Sequence, residues 1–374
     1  MLIVATTERL GDSSVPRLPA CHATGSRAKP LLGVCEIKAR KFIQIALIGV
    51  VTFGCLAFAF RGIKLADLKA SFGQADYAML LPMTLILVSF YVLKAWRWAL
   101  LLHPVKPLTA WQVTPAMMTG FMANNLLPAH LGEFVRVFVL GQQFGLKKTP
   151  VLSTVVLERV FDILAILLLL GVSLFFIEGM PADLERFCQV FGAVSLCGVA
   201  VLVCYMAFTR QFVAVVANVF SWFPFLPEKL TKGVLEILET AAVGLESVRN
   251  PKLLYGIAVS SVAQWLLNGL MIYCAARAFG VDVSYWDALM VMGVIVFAIL
   301  MPSPPGYFGV IQACFTLVLC PRFVQADVVA CSMFYQLSQF IPVTLTGFIF
   351  MNRIGLSLAA LQTEAKVKQP EASV

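Results

Sequence analysis

The chain has 374 residues, of which 60% are hydrophobic and 13% are charged, and its mean hydropathy is +0.88. This composition excludes an ordinary water-soluble domain. The formal net charge of +8 raises the question of a nucleic-acid partner. Because a membrane protein carries its Lys and Arg mainly for orientation, we predict no nucleic-acid partner.

Both ends of the chain are predicted to lie outside the membrane. Residues 1–41 are polar and basic, contain Pro, Gly and Ser, and lack the short apolar core of a cleavable signal. We predict a disordered cytoplasmic tail there, although a start codon assigned too far upstream would give the same appearance. Residues 353–374 are predicted to form a second cytoplasmic tail.

The segment between the tails, residues 42–352, is predicted to be an all-α transmembrane domain. A helix needs about 20 apolar residues to cross a hydrocarbon layer of about 30 Å. Six apolar segments are predicted to cross the membrane on this basis: 42–60, 77–93, 151–177, 187–208, 253–279 and 328–350.

Two further pairs of apolar segments are too short for untilted crossings, since each half is about 12–15 residues, or about 18–22 Å as a helix. Residues 113–127 and 134–144 flank the first break, and residues 288–301 and 307–319 flank the second. We predict two re-entrant hairpins that line a cavity, because irregular backbone at membrane depth must satisfy its polar groups there. About eight full crossings are the alternative. The residues predicted to form the breaks are Pro128, Gly132, Pro305, Gly306 and Gly309.

The order of these segments predicts internal symmetry. Crossing, crossing, hairpin and crossing follow one another in residues 42–177, and the same order recurs in residues 187–350 from the opposite face of the membrane. This is the pattern of an inverted-topology repeat, which is typical of transporters. Within the second half, the apolar face of residues 227–250 predicts an amphipathic linker on the cytoplasmic interface.

The distribution of basic residues predicts the orientation. Segments predicted to be cytoplasmic hold 21 of the 28 Lys and Arg residues, which favours a bacterial plasma membrane protein with both termini in the cytoplasm. Lys94 and Arg97 stand beside Trp96 and Trp98, and we interpret them as a belt at the membrane interface. They are therefore not assigned to a site.

Charged residues inside apolar helices are the strongest functional signal. Glu158 and Asp162 share a helix face, and Glu133 lies three residues before Arg136. A charge near mid-membrane costs at least about 2.5–3.5 kcal/mol, so each carboxylate should face a cavity and have a cationic partner. Arg136 and Arg159 are the expected partners. Either the five residues form a neutral network that ties the hairpin to its neighbour, or the two arginines bind an anionic phosphate, and both can hold together.

Amides occupy the predicted breaks. Asn124 and Asn125 either hydrogen-bond a headgroup or cap helix ends, and Gln312 on the return arm of the second hairpin joins the predicted substrate-binding residues. His130 is expected to be structural. The cysteines and histidines show no metal-binding spacing, and no nucleotide-binding or hydrolase motif occurs. We therefore predict no metal, no cofactor and no enzymatic activity.

Several of these residues together resemble a known family. The set is Asn124-Asn125, Pro128, Gly132-Glu133 with Arg136, Glu158-Arg159 with Asp162, and Pro305-Gly306 with Gly309. Over roughly residues 42–352 the chain resembles the flippase-like integral membrane family related to the N-terminal membrane domain of lysylphosphatidylglycerol synthetases.

The resemblance implies a bacterial or archaeal membrane protein that moves or modifies lipids, such as aminoacylated phospholipids, hopanoids or polyprenyl-linked sugars. His130 and Gln312 stand where relatives often have Arg and Glu, which leaves the charge of the substrate open. The synthetases carry a cytosolic aminoacyl-transfer domain, whereas this chain ends soon after its last predicted crossing, so we expect no aminoacyl transfer.

These observations together predict a membrane lipid transporter, of flippase or scramblase type, that moves a polar or anionic headgroup through a polar cavity. An accessory subunit that presents lipid to a separate glycosyl- or aminoacyl-transferase, encoded nearby, is the first alternative. A membrane enzyme that acts on a polyprenyl phosphate is the second.

Overall fold

A computed structural model of the chain describes residues 49–127, 131–176, 182–207, 211, 218, 250–299 and 304–355. The predicted tail 1–41, the break residue Pro128, His130, most of the linker 227–250 and most of the tail 353–374 lie outside the described residues. Within the described ranges every regular element is helical, which confirms the predicted all-α class.

The described part of the chain contains eleven α-helices. Single 3₁₀ turns at Tyr77–Met79 and Pro305–Tyr307 precede two of them. The helices are α1 (Gly49–Phe60), α2 (Leu65–Gln74), α3 (Leu80–Leu102), α4 (Ala110–Leu126), α5 (Gly132–Phe144), α6 (Lys148–Ser173), α7 (Ala182–Ala207), α8 (Pro251–Ala278), α9 (Tyr285–Ile299), α10 (Val310–Leu319) and α11 (Gln325–Arg353).

Helix lengths identify a polytopic membrane protein. In the described part of the chain, three helical stretches are long and apolar enough to cross a membrane: Tyr77–Leu102, Pro251–Ala278 and Gln325–Arg353. The pair α1 and α2 forms a fourth crossing if its 74° bend lies within one span. Helices α6 and α7 each have 26 residues, which is sufficient length for a crossing, and α6 carries charged residues in its middle.

The second crossing differs from the prediction. The first helix, α1, ends at Phe60 as predicted, and a 74° bend separates it from α2. Helix α3 does not end near Leu93, and continues to Leu102. The extension of α3 places Lys94 and Arg97 inside the helical bundle, where both side chains are buried.

The first predicted hairpin consists of two separate short helices, α4 with 17 residues and α5 with 13. A capping box starts α4: the Thr109 side chain accepts from the Gln112 backbone N–H, and the Thr109 backbone N–H donates to Gln112 Oε1 at 2.9 Å. The two helices touch where Gly120 and Gly132 face each other. The Gly132 N–H donates to Asn124 Oδ1 at 2.8 Å, so Asn124 satisfies a backbone group at the start of α5.

Replacing Gly132 with Ala is expected to destabilise the protein by about 1–3 kcal/mol. The new Cβ would lie 1.9 Å from the Gly120 carbonyl oxygen and 2.6 Å from Asn124 Oδ1, so the two helices would have to separate. Thermal unfolding of the purified protein in detergent measures the change. Gly73→Ala is the matched control, because a Cβ at that helical position meets no atom within 4 Å. Equal melting temperatures for Gly132→Ala and the wild type would contradict this packing.

The second predicted hairpin is also built from two short helices, α9 with 15 residues and α10 with 10. Between them Gly306 and Gly309 have φ angles of +66° and +88°, a conformation that side chains rarely adopt. Gln312 Oε1 accepts the Gly309 N–H at 2.7 Å and so caps α10. The predicted turn residues therefore form the break.

The two halves of the sequence pack against each other along their lengths. Helix α8 packs extensively on α3, and α11 packs on α4. One hydrophobic core is centred on α8, α9, α10 and α11, and the other on the end of α3 with α4 and α5. A polar site lies where these cores meet. The inverted-topology repeat stays a prediction.

Candidate functional site

The interpretation of Lys94 and Arg97 as an interfacial belt is wrong. Lys94 is 3% exposed and Arg97 is 0% exposed, and Trp98 beside them is also fully buried. Trp96, on the opposite side of α3, is exposed. The apolar run Ala99–Leu102, which continues beyond these charges, is the sequence signal that places them inside a helix.

Arg97 joins three helices through its guanidinium. Its Nη1 donates to Asp162 Oδ1 at 2.7 Å and to Ser261 Oγ at 2.8 Å, and its Nη2 donates to Glu158 Oε1 at 3.1 Å. These partners come from α6 and α8. Arg97 therefore fixes α3 to both helices and neutralises charge that would otherwise be buried alone.

Glu158 is a fully buried carboxylate that forms ion pairs with three cations, as Asp162 does. Arg97 contacts Oε1, Arg136 contacts Oε2, and Lys94 Nζ lies 3.8 Å from Oε1. Such an arrangement is stable in an apolar bundle because the cations offset the cost of removing the carboxylate from water.

Asp162 has two oxygens with different surroundings. Oδ1 accepts hydrogen bonds from Arg97, from Gln264 Nε2 at 2.7 Å and from Trp265 Nε1 at 2.9 Å. Oδ2 lies 3.8 Å from Lys94 Nζ, and among the described residues it accepts no hydrogen bond. Asp162 thus orients the Trp265 ring with one oxygen, and its other oxygen lies between Lys94 and Arg159, whose Nη1 is 3.6 Å away.

The two arginines expected to act together have different environments. Arg136 is 2% exposed, its guanidinium stacks 4.0 Å from the centre of the Trp98 ring, and it lies behind Glu158. Arg159 has a side chain that is 38% exposed, and its Nε is 2.9 Å from Glu133 Oε1. Arg159 can therefore meet a ligand, whereas Arg136 holds Glu158 in place.

A cavity of 480 Å³ opens between the two breaks. Its charged wall comes from the first half of the chain, and amides and aromatic rings from both halves complete it. The charged residues are Lys94, Glu133, Arg159 and Asp162; the amides are Asn124, Asn125, Asn268, Gln336 and Gln339; the aromatic residues are Phe90, Tyr91, Phe121, Trp265, Tyr307, Tyr335 and Phe340.

Hydrogen bonds hold the uncharged side chains of the cavity in place. Gln336 Nε2 donates to the Gly306 carbonyl at 2.6 Å, and Gln312 Nε2 donates to Gln336 Oε1 at 2.6 Å. Tyr335 donates to Asn268 Oδ1 at 3.0 Å. Gln312 itself is buried behind Gln336 and does not reach the cavity, so its contribution is to position Gln336.

The structure brings most of the predicted substrate-binding residues together. Five of them line the cavity, namely Asn124, Asn125, Glu133, Arg159 and Asp162, and three lie behind its wall, namely Arg136, Glu158 and Gln312. Asn125 also donates to Thr344 Oγ1 at 2.9 Å, which connects α4 with α11. Sequence reasoning missed Lys94, which lines the cavity, and Trp265, which nothing in the sequence distinguishes from a packing aromatic.

The ionic cluster has one positive charge in excess within the described residues. Its cations outnumber its carboxylates by four to three: Lys94, Arg97, Arg136 and Arg159 against Glu133, Glu158 and Asp162. The ligand that best completes such a cluster is an anion. Across the described ranges, no three His, Cys, Asp or Glu side chains are grouped as metal ligands.

Comparison with known proteins shows a family of membrane domains. The family model for the lysylphosphatidylglycerol synthase TM region matches residues 42–347. The chain belongs to this family. The lysylphosphatidylglycerol synthase TM region thus covers the described helices from α1 to α10 and most of α11, and it includes every residue of the ionic cluster.

Two relatives of this TM region differ in length. The chain is 22% identical to the glycosyltransferase AglD of Haloferax volcanii over 405 residues, which covers 97% of this chain and 63% of the relative. It is 24% identical to a UPF0104 membrane protein of Methanothermobacter thermautotrophicus over 293 residues, which covers 72% of this chain and 82% of the relative. The chain therefore spans less than two thirds of the length of the glycosyltransferase. No solved structure matches the chain.

Proposed function

We propose that this protein is a membrane lipid transporter, of flippase or scramblase type, in which a phosphate-bearing headgroup passes through the cavity while the acyl chains stay in the bilayer. The observation that carries the proposal is the pair of cations, Lys94 and Arg159, that faces a cavity within membrane-spanning helices. Ionisable groups at membrane depth face the interior or a watery cavity, and they mark substrate pathways.

The geometry of the two cations supports phosphate as the ligand. Arg159 is half-buried, and its guanidinium offers donors beyond the Nε that lies against Glu133. Lys94 Nζ is 3.8 Å from both of its carboxylate neighbours, so none of its donors makes a hydrogen bond to a described residue. A phosphate can accept from both cations without displacing an existing hydrogen bond of Lys94.

The size of the cavity supports a headgroup as the occupant. Its 480 Å³ lies within the range of about 300–1,000 Å³ that is usual for small-molecule sites. That volume accommodates a phosphate with a small polar group, whereas two acyl chains require more space. Acyl chains can remain among the exposed apolar side chains on the outside of the bundle, such as Leu85, Val88 and Leu345.

An accessory role is the second candidate. The chain is similar over nearly its whole length to part of a longer protein named as a glycosyltransferase. In that arrangement the same cavity would present a lipid to a transferase encoded nearby, and purified protein alone would exchange no lipid between leaflets.

We propose a bacterial plasma membrane location with both termini cytoplasmic, because the excess of basic residues in the predicted cytoplasmic segments persists without Lys94, Arg97 and Arg136.

Lipid exchange in proteoliposomes tests the proposed function. Protein-containing vesicles should exchange acyl-labelled phosphatidylglycerol between leaflets faster than empty vesicles, as measured by dithionite quenching of the outer leaflet. Arg159→Gln should lower the rate at least about tenfold, because a charge-assisted contact to phosphate is lost. Arg277→Gln is the control, since Arg277 pairs with Asp282 at the surface of the protein. Equal rates in protein-containing and empty vesicles would contradict transport, and chemical conversion of the lipid would favour an enzyme.

A further inference from the structure

The Lys94 ammonium sits in a box of aromatic rings and carboxylates. Nζ lies 5.2 Å from the centre of the Phe90 ring and 5.5 Å from the centres of the Phe121 and Trp265 rings. Glu158 and Asp162 each have an oxygen 3.8 Å away from Nζ. The side chain is 4% exposed, and it lines the cavity.

This surrounding has the composition of an ammonium-binding site. Rings that face a cation, with carboxylates nearby, are the arrangement by which proteins recognise choline-like and methylated ammonium groups. Nζ donates no hydrogen bond to a described residue, which suits a group held by its charge. The Trp265 ring is fixed by its hydrogen bond to Asp162, so the box is already formed.

We propose that Lys94 is a specificity-determining residue that occupies, with the chain's own ammonium, the place where a cationic headgroup would otherwise bind. This proposal rests on the proposed lipid transport. With Lys94 in place, an ammonium or aminoacyl group meets a filled box and a cluster of excess positive charge. The cavity therefore selects phospholipids whose headgroup beyond the phosphate is uncharged.

The uncharged polar lining of the cavity agrees with an uncharged headgroup. It includes the amides of Asn268, Gln336 and Gln339 and the hydroxyl of Tyr335. Amides and hydroxyls donate to and accept from hydroxyl groups, such as those of glycerol. Both carboxylates that line the cavity, Glu133 and Asp162, already have cationic partners.

Lys94→Met tests whether the lysine excludes a cationic headgroup from the cavity. The unbranched apolar side chain keeps most of the lysine stem, and the cluster is left with three arginines and three carboxylates, which balances its charge. Because the methionine side chain ends one atom before the position of Nζ, an external ammonium that enters from the cavity should then be able to bind between the rings. Lys106→Met is the matched control, because Lys106 also lies over a ring, that of Phe144 at 5.4 Å, but does not line the cavity.

Headgroup preference is measured with acyl-labelled phosphatidylglycerol and acyl-labelled phosphatidylcholine in otherwise identical proteoliposomes. The wild type and Lys106→Met should exchange phosphatidylglycerol faster than phosphatidylcholine. Lys94→Met should lower the phosphatidylglycerol rate and raise the phosphatidylcholine rate, each by about tenfold. A loss of phosphatidylglycerol exchange with no gain for phosphatidylcholine would overturn the selectivity proposal and leave phosphate transport standing.

A binding measurement tests ammonium recognition by the aromatic box around position 94 independently of lipid transport. Tetramethylammonium chloride should raise the melting temperature of Lys94→Met in detergent above that in sodium chloride of equal concentration, and it should leave the wild type unchanged. This test also serves if the variant is unstable, because an ammonium that fills the box should restore its folding. Absence of that shift would overturn the proposal. A shift together with wild-type vesicles that exchange no lipid would refute transport while supporting the box.

Discussion

Glu158→Gln is expected to destabilise the protein by about 3–5 kcal/mol and to leave little folded protein in detergent. The carboxylate is fully buried and pairs with Lys94, Arg97 and Arg136. An amide of the same shape removes the negative charge and keeps the cations buried, which is far more costly than losing a surface pair. Size-exclusion chromatography and thermal unfolding measure the loss.

Two further variants test whether the unbalanced buried charge causes the loss of stability in Glu158→Gln. Glu133→Gln should change stability little, because its carboxylate is partly exposed and pairs with Arg159. Adding Arg136→Met to Glu158→Gln removes one cation with the carboxylate and should recover part of the lost stability. If the double variant is no more stable than Glu158→Gln, charge balance is not what holds this region together.

The broad architecture could be predicted from the sequence because the bilayer imposes strong constraints on it. Apolar segment length predicted an all-α membrane protein, and the Pro and Gly residues at 305, 306 and 309 predicted the second break. Positive φ angles at Gly306 and Gly309 give those predictions their physical basis. The first break follows similarly from Gly132, where two helices come too close for a side chain.

The roles within the site could be predicted less well, because they depend on how distant segments meet. Glu158 and Asp162 were recognised as needing cations, yet two of those cations come from α3, far away in sequence. The error came from the predicted end of the second crossing. Lys94 was interpreted as lying just beyond the membrane, whereas it pairs with carboxylates inside the bundle. Likewise, nothing local indicates that Arg159 faces the cavity and Arg136 does not.

Arg97→Gln is the variant for which the sequence interpretation and the structure predict opposite results. An arginine at the membrane interface could be replaced with little effect, because its charged end would reach water. Here Arg97 is 0% exposed and hydrogen-bonds Asp162, Glu158 and Ser261. Removing one partner from a buried ion network costs about 3–5 kcal/mol, so the variant is expected to lose most of its folded population.

Thermal unfolding of Arg97→Gln, compared with that of Arg277→Gln, decides between the interfacial and the buried interpretations of Arg97. Arg277 lies near the end of a membrane-spanning helix and pairs with Asp282 at 2.7 Å, but both side chains are exposed, so its replacement should leave the melting temperature unchanged. A melting temperature for Arg97→Gln equal to that of Arg277→Gln would place Arg97 at the interface. A large decrease restricted to Arg97→Gln is expected, because the arginine connects α3 to α6 and α8 at the wall of the cavity.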